Sequence, residues 1–568
     1  MSLKKLIKLE LISALLLSLA IPNQFLLLGS FVCGLAALIP HFIALEKAKN
    51  LKQTLLLCFI QSLCVHLLSS VWLSYFKDFA YFTYGASGLG TATIHMFFGF
   101  FFYLPKIIRT DDLYFESPFR RFINSNTFKV IWFSCVYTVW EFQKSHGFLA
   151  YPWGTIPMSC YNLKLVSQIT DTTGVRGITF LFSFFAANIG VFCIDFVNSN
   201  GKKTYRKNFN IFSATLLFFM TATVYGLIQY SIERVPVKHM NTILVQQNYN
   251  PWVIPDDALN IYESEALTLK GVEDFKNQGK KPDLVVWSEG VLHYPFPNGS
   301  ESHYRFFPEQ SAQNPELRPL IPFLRDIDAV TVIGGPYCHN MEELKFSNAA
   351  ILFGRDGLYK DYYAKIHLVP FAEYIPFTDN PIMAFFMNSL VGFAVGWVPG
   401  NEFKAFPVEL SDYPGQNVSI SMPICFEDAF GDIFAGLKKA GTEVFVNITD
   451  DSWSCSDAAE YQHFIIAWFR AIEFRTTLLR STNSGYTIVE DPAGRILYDL
   501  PLFESTYMAV PVPVYENFLT FYAIFGEWLS GLCIIFMILT AICVFKTFHD
   551  RYMSVKPLIL KELYKISF

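Results

Sequence analysis

Charge is the first thing this chain is short of. Asp, Glu, Lys and Arg make up only 16% of its 568 residues, while 52% are hydrophobic and 17% aromatic. A soluble globule carries about 25% charged residues, so an ordinary cytosolic domain is excluded and a membrane protein is expected. The net charge is only −5, and no basic stretch is interleaved with aromatics, so nucleic acid is not a partner. The 11 cysteines include no CxxC pair and no zinc-like spacing, which indicates neither a disulfide framework nor a metal site. Cys33, Cys58, Cys64, Cys135, Cys193, Cys533 and Cys543 lie in apolar runs and read as small hydrophobes. Only Cys338, Cys425 and Cys455 fall in the large polar segment. Internal repeats and low-complexity tracts are absent.

Long apolar runs are what the chain has instead. About 20 such residues cross a bilayer, and eight spans are expected, near 7–21, 25–45, 54–76, 88–105, 130–147, 177–197, 209–231 and 518–545. The basic, apolar start could pass for a signal peptide, but no small-residue cleavage pattern follows it. Lysines and arginines gather in alternate loops: Lys4, Lys5 and Lys8; Lys47, Lys49 and Lys52; Lys106, Arg109, Arg120 and Arg121; Lys202, Lys203, Arg206 and Lys207; Lys546, Arg551 and Lys556. Basic loops stay in the cytoplasm, so both termini are expected there. Three regions follow: a seven-span segment 1–232, an extracytoplasmic domain 233–516, and an eighth span with a cytoplasmic tail, 517–568.

The segment 241–512 changes character. Short runs such as "NTILVQQN", "DLVVWSEG", "AVTVIGG", "NAAILFG", "VSISMPI" and "TEVFVNIT" read as strands bounded by Gly, Pro or Asp. Patterns such as "EYQHFIIAWFRAIEFRTTLLR" between them read as helix, so an α/β layered domain is expected. Three strand ends carry reactive groups: Glu289 after "LVVWS", Lys365 and Glu373 in "YYAKIHLVPFAEYIPF", and Cys425 and Glu427 in "SISMPICFED". Each alone reads more simply as loop, surface or core. Together they form a mechanism. A thiol, mostly protonated at neutral pH, needs a base to become a nucleophile and a cation to steady the resulting charges. The pattern strand, sharp turn, helix around Cys425 would set it near a helix N-terminus, with the Phe426 N–H aimed at the same oxyanion.

Glu289, Lys365 and Cys425, in that order and context, resemble the Glu–Lys–Cys triad of the nitrilase, or carbon–nitrogen hydrolase, superfamily. The longer motifs "YYAKIHLVPFAEYIPF", "PICFEDAF" and "VNITDDSWSCSDAAEYQHFIIAWFRAIEFRTTLLRSTNSG" are similar to those of the bacterial apolipoprotein N-acyltransferase family, and the resemblance runs through essentially the whole chain. It implies an eight-span helical bundle joined to a nitrilase-like αββα sandwich. It also implies acyl transfer from a phospholipid such as phosphatidylethanolamine to an apolipoprotein N-terminus, with no cofactor and no metal, by a monomer in the bacterial inner membrane. Glu289 would be the general base, Lys365 the oxyanion-side cation and Cys425 the nucleophile; Glu373 would support Lys365, and Phe426, Glu427 and Trp453 would shape the pocket. The chain departs from the family at Ala372, where Gly is common, at Phe426, where Tyr is common, and at "DDSWS" in place of "NDAWF".

Two other classes compete. A membrane-tethered amidase shares the chemistry as far as a thioester, but a soluble substrate needs no set of spans. A silent scaffold or transporter predicts broken triad positions, and here they are complete. Simpler readings cover the remaining residues. His463 could pair with Cys425 as a dyad but belongs to an amphipathic helix, Arg470 and Glu473 form an i,i+3 ion pair, and Glu141 either pairs with Lys144 or has a functional role, as intramembrane carboxylates commonly do, the two readings standing level. The uncharged stretch 380–400, rich in Phe and Gly, reads as a lid on the membrane surface in preference to a core strand pair.

Overall fold

The computed structural model describes residues 1–108, 118–147, 149–199, 204–250, 257–293, 295–296, 320–374, 380–382, 385 and 396–566. It divides into two compact units, one formed by 1–169, 175–227 and 527–568, the other by 170–174 and 228–526.

In the first unit a helix falls on each of the eight apolar segments: Leu3–Ala20, Phe31–Lys47, Leu51–Ser69, Ser87–Tyr103, Asn126–Lys144, Arg176–Ser199, Thr204–Ser231 and Trp528–Ile566. Among the described residues, five helical segments are long and apolar enough to cross a membrane: Leu51–Ser69, Thr83–Ile108, Arg176–Asn198, Asn208–Ser231 and Trp528–Asp550. The other three helices are shorter or more charged. Leu3–Ala20 holds three lysines and Glu10, and Phe31–Lys47 has 17 residues with Pro40 inside. Large apolar side chains point outward along the last two segments, among them Leu216, Leu217, Met220, Ile535, Leu539 and Ile542. In water those faces would be a liability; in hydrocarbon they are solvated. The protein is a membrane protein.

Helix ends differ from expectation where local chemistry intervenes. The second helix begins at Phe31, not near 25, because the Ser30 hydroxyl caps it by accepting from the Cys33 N–H. The last begins at Trp528, after Gly526 at φ +57 breaks it from a short turn at Phe521–Phe525. Glu141 and Lys144 do not pair. Lys144 donates to the carbonyls of Trp153 and Gly154, while Glu141 accepts from the Ile156 N–H and the Thr179 hydroxyl and faces Arg176 at 3.8 Å. A buried carboxylate surrounded by donors takes the nearest ones, and those lie on other elements.

The second unit holds two six-stranded sheets, ordered β12-β1-β2-β3-β4-β5 and β11-β10-β9-β8-β7-β6. The first comprises β1 (Lys238–Gln246), β2 (Leu284–Val286), β3 (Val330–Asn340), β4 (Lys345–Phe353), β5 (Tyr359–Ala364) and β12 (Thr506–Val514). The second comprises β6 (Phe406–Glu409), β7 (Asn417–Ser421), β8 (Val444–Thr449), β9 (Thr477–Thr482), β10 (Ile488–Glu490) and β11 (Ile496–Asp499). β1, β2 and β3 run parallel, as do β7, β8 and β9. Both faces of parallel strands must be covered, and β2, β8 and β9 are accordingly buried throughout. Helices Asp257–Asn277 and Leu320–Asp326 pack over a core of Ile243, Val285, Trp287, Phe275 and Phe323. On the other side the sheets meet, where the Ser481 hydroxyl of β9 lies within hydrogen-bond reach of the Val245 and Val286 carbonyls. The αββα sandwich is therefore present.

The helix at the end of the second unit's long apolar pattern is shorter than the sequence suggests. The helix Asp457–Phe474 stops at Arg475, which takes a left-handed φ of +48, and "TLLRST" then forms β9. Two consecutive threonines favour the strand, and the apolar Leu478 and Leu479 are buried there. The Arg470–Glu473 pair on that helix is present, at 2.7 Å. Of the expected lid, residues 383–384 and 386–395 lie outside the described residues. Its ends are visible: Ile382 and Phe385 are exposed, whereas the backbone N–H groups of Trp397, Val398 and Gly400 donate to the carbonyls of Glu373, Phe346 and Lys365.

Candidate active site

The C-terminal ends of β2, β7 and β8 converge with the end of β5, the usual place for ligands on parallel strands. Beyond β7 the chain stays extended through Ile424, which bridges Ile448, and then turns abruptly at Cys425. Cys425 has φ +47, a conformation that costs a residue with a Cβ about 1 kcal/mol or more and is held only by its surroundings. It opens the 3-10 turn Cys425–Ala429; the α-helix starts only at Gly431. The expectation of a thiol at an α-helix N-terminus is therefore corrected to a thiol on a strained turn.

Glu427 fixes that turn. Its fully buried carboxylate accepts from the N–H groups of Ile424 (2.8 Å), Ile366 (2.7 Å) and His367 (3.1 Å) and from the Tyr363 hydroxyl (3.0 Å). One side chain thus ties the cysteine turn to the backbone just past Lys365. Burial pushes its carboxyl up to about 7, against the downward pull of those N–H donors.

Lys365, buried at the end of β5, donates to Glu373 Oε1 at 2.8 Å and lies 3.4 Å from Glu289 Oε1. Burial works against its charge, but Glu289, Glu373 and the Cys425 sulfur outweigh it and hold the ammonium well above the usual lysine range. Asn348 of β4 joins the two acids, donating to Glu289 Oε1 (2.7 Å) and to Glu373 Oε1 (2.8 Å). Glu289 Oε2 accepts from the Asp450 N–H beyond β8, at 3.0 Å. Glu373 Oε2 accepts from the Val369 N–H, at 2.8 Å. The Glu289 loop can lie this close to β3 because Gly334 has no side chain: a Cβ there would sit 2.5 Å from the Glu289 Cα.

Burial pushes the Cys425 thiol well up, and Glu289 adds to this while Lys365 pulls it down. At rest the sulfur is a thiol beside one ammonium and two carboxylates. Moving its proton to Glu289 leaves the net charge of this group of four unchanged, so a thiolate can form without creating an uncompensated buried charge.

Beneath the turn lies a second buried set. His463 Nδ1 meets Asp451 at 2.9 Å and its Nε2 lies 3.0 Å from Asp428. Arg480, also buried, donates to Asp428 (3.1 Å) and Asp451 (3.2 Å). Burial would neutralise the imidazole, but the carboxylates of Asp428 and Asp451 win and raise it to about 9. Ligand atoms of Cys425, Asp451 and His463 lie within 4.8 Å of one another. With a carboxylate at each ring nitrogen, His463 reads as part of an ion-pair set under the turn and not as the base for the thiol. Phe426 packs on His367 and Phe430, and the half-buried Trp453 donates from Nε1 to the Asp450 carbonyl at 3.2 Å.

The structure thus brings together Glu289, Lys365, Glu373, Cys425 and Glu427, and sets Phe426 and Trp453 on the neighbouring turns. Sequence reasoning missed Asn348, inside a run read only as a strand. It also missed the partners of His463, Asp428 on the cysteine turn and Asp451 on the loop after β8, which Arg480 of β9 binds as well.

Comparison with known proteins gives the class and then the family. A family profile described as Carbon-nitrogen hydrolase matches residues 254–515, which hold both sheets' shared site, and one described as Apolipoprotein N-acyltransferase N-terminal domain matches residues 13–188. The chain is 42% identical to Apolipoprotein N-acyltransferase 2 of Treponema denticola, over 93% of this chain and 95% of the relative. It is 34% identical to the Apolipoprotein N-acyltransferase 2 of Treponema pallidum, over 92% of each. Among solved structures, Nit3 of Saccharomyces cerevisiae, of the nitrilase superfamily, matches at TM-score 0.34 and 17% identity, covering 50% of this chain and 93% of that one. The site is that of a carbon–nitrogen hydrolase-type enzyme. The chain belongs to the apolipoprotein N-acyltransferase family, and it is an acyltransferase.

Proposed function

We propose that the protein moves a fatty acyl group from a membrane phospholipid to the N-terminal amine of an apolipoprotein through a thioester on Cys425. Glu289 takes the Sγ proton, and the thiolate attacks an ester carbonyl of the donor, phosphatidylethanolamine being the donor to test first. The oxyanion is stabilised by Lys365, which Glu373 and Asn348 hold in place. Collapse breaks the ester C–O bond, and Glu289 returns the proton to the departing lysophospholipid oxygen. The free α-amine of a diacylglyceryl-cysteine then attacks the thioester, Glu289 takes the amine proton, the C–S bond breaks and Cys425 is a thiol again. The base contributes about 10²–10⁴-fold and an oxyanion donor about 10²–10³-fold. Glu427 fixes the nucleophile's turn, while Phe426 and Trp453 wall the thiol from water, so that the thioester meets an amine first.

The observation that carries the reading is Cys425 on its strained turn, within the field of Glu289 and Lys365, in a chain that also carries outward-facing apolar helices. Eight spans, with the basic loops in the cytoplasm, fit the alternation of Lys and Arg along the chain. That orientation sets residues 233–516 on the outer, periplasmic side of the inner membrane, where a lipoprotein terminus and phospholipid are both available to a monomer. Neither metal nor organic cofactor is needed for this chemistry.

Purified protein incubated with phosphatidylethanolamine alone tests it, with mass spectrometry of the Cys425 peptide. An acyl adduct is expected in the wild type and in Cys338→Ser and Cys455→Ser, and none in Cys425→Ala. An adduct that persists in Cys425→Ala would sink the assignment.

A further inference from the structure

The bundle of the first unit holds a polar knot that the acyl-transfer site does not use. Glu10, His41, Cys58 and His95 come from four successive helices, and all four side chains are completely buried. His41 Nδ1 meets Glu10 Oε2 at 2.7 Å, and His95 Nδ1 meets the Cys58 carbonyl at 3.1 Å. A carbonyl only accepts, and so does a carboxylate, so the ring proton of each histidine sits on Nδ1. That leaves a lone pair on each Nε2. Both Nε2 atoms, and Glu10 Oε1 as well, have no hydrogen-bond partner. One ring nitrogen of each histidine and the Cys58 Sγ lie within 4.8 Å of one another.

Two imidazoles, each with a bare nitrogen, and a thiol gathered in a dry interior are the donor set of a borderline-soft transition metal. The outer contacts also fit, because a ligating histidine ordinarily gives its other N–H to a carboxylate or a carbonyl. We propose that Cys58, His41 and His95 bind one Zn2+ ion, with Glu10 orienting His41 and a water in the fourth position. Charge supports the assignment: a divalent ion, the Cys58 thiolate and the Glu10 carboxylate sum to zero, which the interior of a helix bundle in lipid requires. Trp140 stacked on His95 with ring centroids 4.4 Å apart sets that ring's plane. Gly99 lets the fourth helix approach, since a Cβ there would meet the Leu55 Cα at 3.1 Å. The ion would pin the first four helices together. No spacing signal exists, because each ligand comes from a different helix.

The test uses the full chain in detergent, stripped with chelator, loaded with Zn2+ and desalted, with zinc measured by mass spectrometry. One zinc per chain is expected. Cys58→Ser and His95→Gln should lose it, while Cys425→Ser should keep it, which separates this site from the Cys425–Asp451–His463 group. Cobalt loaded into the wild type gives a readout independent of any variant's folding: a thiolate-to-cobalt charge-transfer band with tetrahedral visible bands. The proposal is overturned if zinc in the wild type is no higher than in the Cys58→Ser/His95→Gln double variant, or if the cobalt spectrum lacks the thiolate band.

Discussion

Replacing Asn348 probes the site without touching a reacting group. Its amide donates at 2.7 Å to Glu289 and at 2.8 Å to Glu373, holding two carboxylates against a single ammonium. Asn348→Leu keeps the branched outline of the side chain, somewhat enlarged, and removes both donors. Hydrogen bonds to charged groups are worth about 1.5–3 kcal/mol each, but both acids are slightly exposed and water replaces part of the loss. Glu289 also keeps the Asp450 N–H and Lys365. A net loss of about 2–3 kcal/mol is expected, divided between stability and the orientation of the base. At 1.36 kcal/mol per tenfold, thioester formation should slow by about 10- to 100-fold, less than for Glu289→Gln. Asn348→Asp, of the same shape but with no donor and an added charge, should lose at least as much. Single-turnover acylation followed by intact-protein mass spectrometry, beside a thermal midpoint in the same detergent, measures both parts. Wild-type acylation rates in both variants would refute the view that this amide positions the base.

Two further outcomes follow from the same geometry. His463, at about 9 instead of 6.5, contributes stability fully present below pH 6.5 and lost as pH rises through about 9, roughly 3 kcal/mol at 1.36 kcal/mol per pKa unit; the thermal midpoint should fall across that window in the wild type and stay flat in His463→Gln, and equal slopes would contradict the ion-pair assignment. In a background without the exposed Cys455 and Cys543, Lys49→Cys should be shielded from an impermeant thiol reagent in spheroplasts and Glu342→Cys, in the exposed β3–β4 turn, should react; the reverse pattern would place the site in the cytoplasm.

The reacting residues were legible in the sequence because each closes a strand that announces itself: Glu289 after β2, Lys365 after β5, Cys425 after β7. A strand end fixes where a side chain emerges even before its partners are known. What stayed hidden is whatever depends on partners. Asn348 looks like any strand residue until β5 lies beside it, and His463 looks amphipathic until Asp428, Asp451 and Arg480 close around it. The helix read through Arg475 failed for a related reason. A local apolar pattern fits helix and buried strand alike, and only the place in the second sheet decides. The histidine–cysteine knot of the bundle was invisible because its residues are each a lone polar group in an apolar run.

The most direct test of the account follows the acyl group itself. Protein acylated with labelled phosphatidylethanolamine is freed of donor and then given a synthetic diacylglyceryl-cysteine lipopeptide with a free N-terminus. The label should leave Cys425 and appear as an amide on the peptide, at a rate that rises with acceptor concentration. Label released as free fatty acid at one rate, with or without the acceptor, would mean that the thioester serves hydrolysis and would contradict acyl transfer.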